Sequence, residues 1–89
     1  TNFNITIEPI TIDNYYDDIP HGTTHLILNL QQSLRKNFIP DTVTYLLFYY
    51  KFNYSIEIGS IPNSVTYLEF GNNFNQSLHQ KRLKRNLPK

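Results

Sequence analysis

The 89-residue chain contains no cysteine, alanine, methionine or tryptophan. Without cysteine it has no disulfide framework and no thiolate metal site, so a domain of this size depends on packing alone or on continuing into a longer array. The missing alanine, together with abundant asparagine, isoleucine, tyrosine and phenylalanine, lowers helix propensity and raises strand propensity along the whole chain. The composition therefore predicts a mainly β protein, with room for one small domain.

Long hydrophobic runs are also missing. No apolar stretch approaches the length of a membrane span, and the polar start lacks the basic-then-apolar order of a signal peptide. We therefore expect an intracellular protein without a membrane partner, cytoplasmic in the first instance and nuclear as the alternative. The chain starts at Thr1, where a whole protein would start with methionine, so we expect it to be a piece of a longer protein.

One dipeptide recurs along the chain at nearly constant spacing. Ile-Pro occurs at Ile19-Pro20, Ile39-Pro40 and Ile61-Pro62, which gives spacings of 20 and then 22 residues. A period of this length is typical of solenoid proteins. The first spacing is shorter because the first unit lacks two residues before Leu30. The predicted organisation is an N-terminal cap and loop at 1–18, three repeats at 19–38, 39–60 and 61–78, and a basic C-terminal cap or tail at 79–89.

The same apolar slots follow each Ile-Pro pair. In the third unit they are Val65, Leu68 and Phe70, whose spacing predicts a short strand with these side chains directed inward. A two-turn helix is the alternative, because Ile61, Val65 and Leu68 also fit a helical period. The Val-Thr-Tyr centre and the stop at Gly71-Asn72-Asn73 favour the strand. We expect that stop to be a tight turn that uses positive φ, which Gly and Asn tolerate.

The segment before the first repeat has its own pattern. Isoleucines at positions 5, 7, 10 and 12 predict a strand-rich cap, and the polar stretch 13–18 predicts a loop. Gly22, Gly59 and Gly71 are predicted turn glycines at roughly repeat spacing.

The third unit resembles a known family, the FNIP repeats of social amoebae and giant DNA viruses, named for their Phe-Asn and Ile-Pro pairs. It carries both Ile61-Pro62 and Phe74-Asn75; Phe52-Asn53 and Phe3-Asn4 are further copies, whereas Leu30-Gln31 departs from the pattern. The family is similar to leucine-rich repeats, which implies one parallel strand per unit and a short right-handed solenoid. Many members carry an F-box ahead of the repeats and are thought to present targets to ubiquitin ligases. The 18 residues before the first Ile-Pro are too few for such a domain, so that role is not carried over.

Residues between the inward slots are expected to point outward and to form a candidate partner-binding face. Aromatic residues with polar tips suit interfaces, and exposed aliphatic residues require a reason. The alternative is that another layer or a neighbouring subunit covers Ile27 and Leu47 as ordinary core. Three short strands offer a patch of about 200 Å², against about 800 Å² per partner in a stable interface, so binding by this face alone would be weak. The predicted face comprises His25, Ile27, Tyr45, Leu47, Tyr49, Tyr67 and Glu69.

Catalysis has little support in the sequence. His21, His25 and His79 have no cysteine companions, and the adjacent acids Asp17 and Asp18 tend to diverge in an extended loop. No nucleophile elbow, phosphate loop or dinucleotide motif is present. We therefore expect no enzymatic activity, no catalytic residues, no cofactor and no bound metal.

Two functions from different classes remain. The first is a non-enzymatic interaction module that presents its strand face to an unidentified protein partner, as part of a longer array or alone. The second is nucleic-acid binding or nuclear targeting through the basic tail, although such a tail also suits the protected edge of a last strand. The tail residues are Lys81, Arg82, Lys84 and Arg85. The oligomeric state stays open.

Overall fold

The computed structural model describes residues 8–76, and within this range it contains strands and turns but no helix. The strands, numbered in chain order, are β1 (Ile10–Ile12), β2 (His25–Leu28), β3 (Tyr45–Phe48) and β4 (Tyr67–Glu69). The prediction of one strand per unit is confirmed, and the helical alternative is wrong. The predicted loop between positions 13 and 18 contains no strand.

All four strands form one parallel sheet in the order β1-β2-β3-β4, so units that follow each other in the chain are neighbours in space. Parallel neighbours need a long crossover connection, and the rest of each unit supplies it. The register follows the repeat alignment. Leu26 pairs with Leu46, and Leu46 pairs with Leu68, while Ile10 of β1 pairs with Leu26.

The inward slots of the repeat form the core. Leu26, Leu46 and Leu68 are buried under the sheet, because alternate residues of a strand point to the same side. Phenylalanine rings from the second and third units stack on each other, with centroids 4.7 Å apart for Phe48 and Phe70. The buried apolar side chains are Ile12, Leu26, Leu28, Leu30, Leu34, Ile39, Val43, Leu46, Phe48, Phe52, Ile56, Ile61, Val65, Leu68, Phe70 and Phe74.

The two-residue deletion in the first unit is visible in the packing. Leu30 is buried as its counterparts Phe52 and Phe74 are, although it lies two residues closer to its strand. Beyond it, Leu34 and Ile56 form an isolated parallel bridge, which restores the register of the two units.

Each Ile-Pro pair begins a turn, and the strand of the unit follows that turn. Proline fixes its own φ and has no N–H to place in a ladder, so the chain enters the turn without a backbone donor at that point. In the first unit Thr23 replaces the valine of the other two, and its hydroxyl donates to the Pro20 carbonyl at 2.6 Å, which satisfies a polar atom in a core slot. The closing backbone hydrogen bonds run from Thr23 to Pro20, from Val43 to Pro40 and from Val65 to Pro62, at 3.1–3.2 Å.

The glycine turn after β4 differs in one respect from its prediction. The turn is present, because the Phe74 N–H donates to the Gly71 carbonyl at 3.2 Å. Gly22 and Gly59 have φ of 82° and 84°, whereas neither Gly71 nor the two asparagines after it has a positive φ. A Cβ on Gly71 would lie 2.2 Å from the Cα of Tyr50, so this position requires glycine because two backbone segments come into contact.

Tyr15 fastens the N-terminal loop against the first repeat. Its hydroxyl donates to the Ser33 carbonyl and accepts the Arg35 N–H at 3.0 Å. The ring packs edge-on against Phe38, with centroids 4.6 Å apart. Burial raises the pKa of Tyr15, although the hydrogen bond from Arg35 opposes that shift. β1 lies in the segment predicted to be a strand-rich cap; the part of that segment before residue 8 and the basic tail lie outside the described residues.

Candidate functional site

The candidate site is the outward side of the sheet. Along β2 the buried Leu26 and Leu28 alternate with the half-buried His25 and Ile27, and β3 repeats this alternation. In β4, Tyr67 and Glu69 stand on either side of the buried Leu68. Six of the seven residues predicted for the face therefore lie on strands, on the side away from the core. The seventh, Tyr49, follows β3 and is 40% exposed.

Three rings stack in a column across the strands, which we call the aromatic ladder: His25, Tyr45 and Tyr67. The parallel register places them side by side. The centroids of His25 and Tyr45 are 5.1 Å apart and those of Tyr45 and Tyr67 are 4.3 Å apart, with ring planes within 12° of parallel. Stacked aromatic pairs contribute about 0.5–1.5 kcal/mol beyond the area that they bury. The ladder therefore stabilises the sheet while it keeps its ring edges at the surface.

A second column, the outer row, runs beside the ladder and consists of Ile27, Leu47 and Glu69. Its members are in register on adjacent strands, two residues after the ladder members. Two of them are aliphatic and half-buried, and the third ends the row with a carboxylate.

A hydrogen bond joins the two columns at β4, where the Tyr67 hydroxyl donates to Oε1 of Glu69. This hydrogen bond, with desolvation as the next cause, raises the pKa of Tyr67 to about 12. The hydroxyl is protonated at neutral pH, as an ordinary tyrosine hydroxyl is, and donates to the Glu69 carboxylate.

The threonines that precede the strands are exposed but already engaged. Thr44 donates its hydroxyl to the Thr24 carbonyl at 3.4 Å, and Thr66 donates to the Thr44 carbonyl at 3.3 Å. Thr24 contacts Nδ1 of His25 at 3.0 Å. These hydroxyls connect successive units, so they are less available to a partner than the ladder and the outer row.

The sequence pattern missed Tyr50. It is 62% exposed beside Tyr49, with ring centroids 6.4 Å apart, and Nζ of Lys51 lies 5.7 Å from its ring. Alternation along a strand predicts an inward side chain at this position, but the chain has already left β3 and turns here. A run of two tyrosines directly before a turn is the signal that identifies an extension of the face.

Two shallow hollows lie along the edge of the Ile-Pro turns. One, of about 430 Å³, is lined by residues that include Ile19, His21 and Thr42. The other, of about 350 Å³, is lined in part by Phe38 and Pro62, and Asp41 borders both. His21 and His25 are thus placed apart, one at this edge and one on the strand face.

Metal-ligating side chains do not gather in the described part of the chain. Between residues 8 and 76 there is no group of three or more His, Cys, Asp or Glu side chains that would hold a metal ion. The same residues form no helix that is long and apolar enough to span a membrane.

One parallel strand per period of 20 to 22 residues, with the same slots buried in every unit, defines a repeat protein. The FNIP Repeat family model matches residues 16–51 and 52–89, which together make up most of the chain. The chain belongs to the FNIP repeat family. Neither the curated proteins nor the solved structures contain a match to it.

Proposed function

We propose that the chain is a non-enzymatic protein-interaction module that presents the outward side of its sheet to a protein partner. The observation that carries this proposal is the aromatic ladder beside the half-buried Ile27 and Leu47. Tyrosine is enriched at protein interfaces, because its ring gives contact area and its hydroxyl gives a hydrogen bond. When a partner covers aliphatic side chains at the surface, the removal of their apolar area from water stabilises the complex.

The size of the face sets its affinity. Three strands about 4.8 Å apart give a patch of about 200 Å², well below the roughly 800 Å² per partner of a stable interface. Tyr49 and Tyr50 enlarge it at the end of β3. Binding is therefore weak for this segment alone and gains strength if the protein carries further units.

We infer a right-handed coil similar to that of leucine-rich repeats, because parallel strands joined by a crossover connect right-handedly in about 98% of cases.

An intracellular, cytoplasmic location agrees with the absence of cysteine. Nucleic-acid binding or nuclear targeting through the basic tail is the second candidate, and the sheet itself adds little to it, since residues 8–76 hold seven acidic side chains and three basic ones.

The test compares two substitutions of the same chemistry. Leu47→Ser removes an aliphatic side chain from the outer row, and Ile58→Ser removes one that is 63% exposed in the turn before the third unit, outside the sheet. We expect Leu47→Ser to reduce the capture of bound proteins at least fivefold, because the variant loses the apolar area that the leucine buries against a partner. Ile58→Ser should leave the same proteins bound.

Circular dichroism spectra of both variants accompany the binding measurement. A folded Leu47→Ser protein with undiminished capture contradicts the proposal. An unfolded one shows instead that Leu47 acts as core under a further layer, which is the alternative to an open face.

A further inference from the structure

We propose that this face takes a basic, extended partner segment in which an apolar residue and an arginine are separated by one residue, with the arginine bound at Glu69. The inference rests on the proposed function, since it assigns the chemistry of the partner that the same face binds. Three observations support it: the distribution of charge along the chain, the position of Glu69 and the spacing of the outer row.

Acidic and basic residues are separated along the chain. All seven acidic residues of the protein lie between Glu8 and Glu69, whereas only Arg35, Lys36 and Lys51 of its eight basic residues lie in this range, a formal charge of −4. Arg35 stacks over Tyr15 and Lys51 over Tyr50, so both are engaged away from the outer row. The other five basic residues lie from Lys81 onward, and the formal charge of the whole protein is +1. The complementarity that favours a basic segment is therefore local, at the carboxylate of Glu69.

Glu69 is the one acidic residue among the seven of the face, and it sits at the end of the outer row. The Tyr67 hydroxyl occupies one of its oxygens. A carboxylate has roughly four acceptor positions, so, as far as residues 8–76 are concerned, the second oxygen remains for a ligand. The Tyr67 hydrogen bond restricts the rotamers of the Glu69 side chain, which reduces the conformational entropy lost on binding.

Arginine suits this site better than lysine. Its planar guanidinium carries five donors in a rigid fork and lies flat against aromatic rings, whereas the lysine ammonium is compact and strongly hydrated. At Glu69 the guanidinium would donate hydrogen bonds to a carboxylate oxygen and to the phenolic oxygen of Tyr67 beside it. The Tyr67 ring is stacked on the ring of Tyr45. Bidentate, charge-assisted hydrogen bonds of this kind are about twice as strong as neutral ones.

The spacing of the outer row fixes the distance between the two anchor residues of the segment. Adjacent strands lie about 4.8 Å apart, so the midpoint between Ile27 and Leu47 is about 7 Å from Glu69. Side chains two residues apart in an extended chain are separated by nearly the same distance, about 6.8 Å. A segment that crosses the strands therefore places an apolar side chain on Ile27 and Leu47 when its arginine reaches Glu69.

Tyrosines border this path at β3. Tyr45 precedes Leu47 by two residues and Tyr49 follows it by two, and both are at the surface. At β3 an apolar side chain on Leu47 would therefore have a tyrosine on each side along the strand.

The experiment is a titration of the isotope-labelled full chain, followed by amide chemical shifts, with a short synthetic peptide that contains leucine, serine and arginine in that order between neutral residues. A second peptide carries citrulline in place of arginine, which keeps the shape and removes the charge. We expect shifts centred on Tyr45, Leu47 and Glu69, and an affinity at least fivefold higher for the arginine peptide.

Two variants locate the charge that matters. Glu69→Gln should lower the affinity for the arginine peptide about fivefold and leave the citrulline peptide unaffected, since only the charged pair is lost. Glu57→Gln makes the same charge change at an exposed turn position outside the sheet, and it should leave both affinities unaltered.

The outcomes separate this inference from the proposed function. Equal affinity for the two peptides, or equal effects of Glu69→Gln and Glu57→Gln, overturns the basic segment while Leu47-dependent capture still supports an interaction face. If Leu47→Ser and Glu69→Gln both change nothing, the two proposals fail together.

The chain's own tail is a competing occupant, because Leu83-Lys84-Arg85 has the same spacing of apolar residue and arginine. A full-length variant with glutamine at Lys81, Arg82, Lys84 and Arg85 decides between them. Unchanged peptide affinity supports a segment supplied by a partner, and a higher affinity shows that the tail competes for the face, which contradicts it.

Discussion

Gly71 shows how a single residue constrains the stack. It lies where the chain leaves β4, against the backbone of Tyr50 in the preceding unit, and a Cβ there would come 2.2 Å from a Cα atom. Backbone atoms cannot yield as the end of a flexible side chain can. The close contact explains the glycine without any appeal to φ, which is not positive here.

The corresponding prediction concerns Gly71→Ala, with Gly22→Ala as its control. Gly22 has φ of 82° and open space around it, so alanine there costs about 1 kcal/mol of backbone strain. Gly71→Ala must displace the second unit and should cost about 3 kcal/mol. Urea unfolding followed by circular dichroism measures both free energies. A Gly71→Ala variant that is as stable as Gly22→Ala would mean that the two backbones are not in contact.

At the scale of the repeat element, the asparagine of the Phe-Asn pair connects one unit to the next. Oδ1 of Asn53 accepts the Asn75 N–H at 2.8 Å and Nε2 of Gln76 at 3.1 Å. Its neighbour Phe52 is buried in the core. The two halves of the motif therefore have different tasks: the phenylalanine packs within the stack and the asparagine satisfies a backbone donor of the following unit.

Asn53→Ala tests this role. The substitution leaves the Asn75 N–H without its partner and should lower the free energy of unfolding by about 1 kcal/mol. The matched control is Gln31→Ala, the same position in the first unit, where the exposed side chain forms no hydrogen bond among residues 8–76. It should change stability by less than about 0.5 kcal/mol. Equal effects at the two positions would contradict the role of Asn53 in connecting the second and third units.

At the scale of the whole molecule, the sequence predicted the features that recur in every repeat unit. The slots of Leu26, Leu46 and Leu68 determine which side of the sheet is buried, and the two-residue deletion before Leu30 follows from aligning the units. In a repeat stack each unit contacts its neighbours, so a correct alignment already gives the register.

The repeat pattern did not predict contacts that occur in one place only. Tyr15 reaches from the N-terminal loop to Ser33 and Arg35 in the first unit. The positions four residues before the second and third Ile-Pro pairs are not tyrosines. The Tyr67–Glu69 hydrogen bond depends on Glu69, which stands where β3 has Leu47, whereas Tyr67 has an equivalent in Tyr45. Periodicity predicts the positions that units share, whereas the candidate site is built from the positions in which they differ.

The central claim is that the outward side of the sheet contacts a protein partner, and site-specific photocrosslinking tests it most directly. A benzophenone amino acid is placed at position 47, in the outer row, or at position 58, in the exposed turn outside the sheet. Each folded protein is irradiated in an extract of the cells that make it. The account predicts discrete covalent adducts from position 47 and none of the same mass from position 58. Adducts from position 58 alone, or identical adducts from both positions, would contradict it.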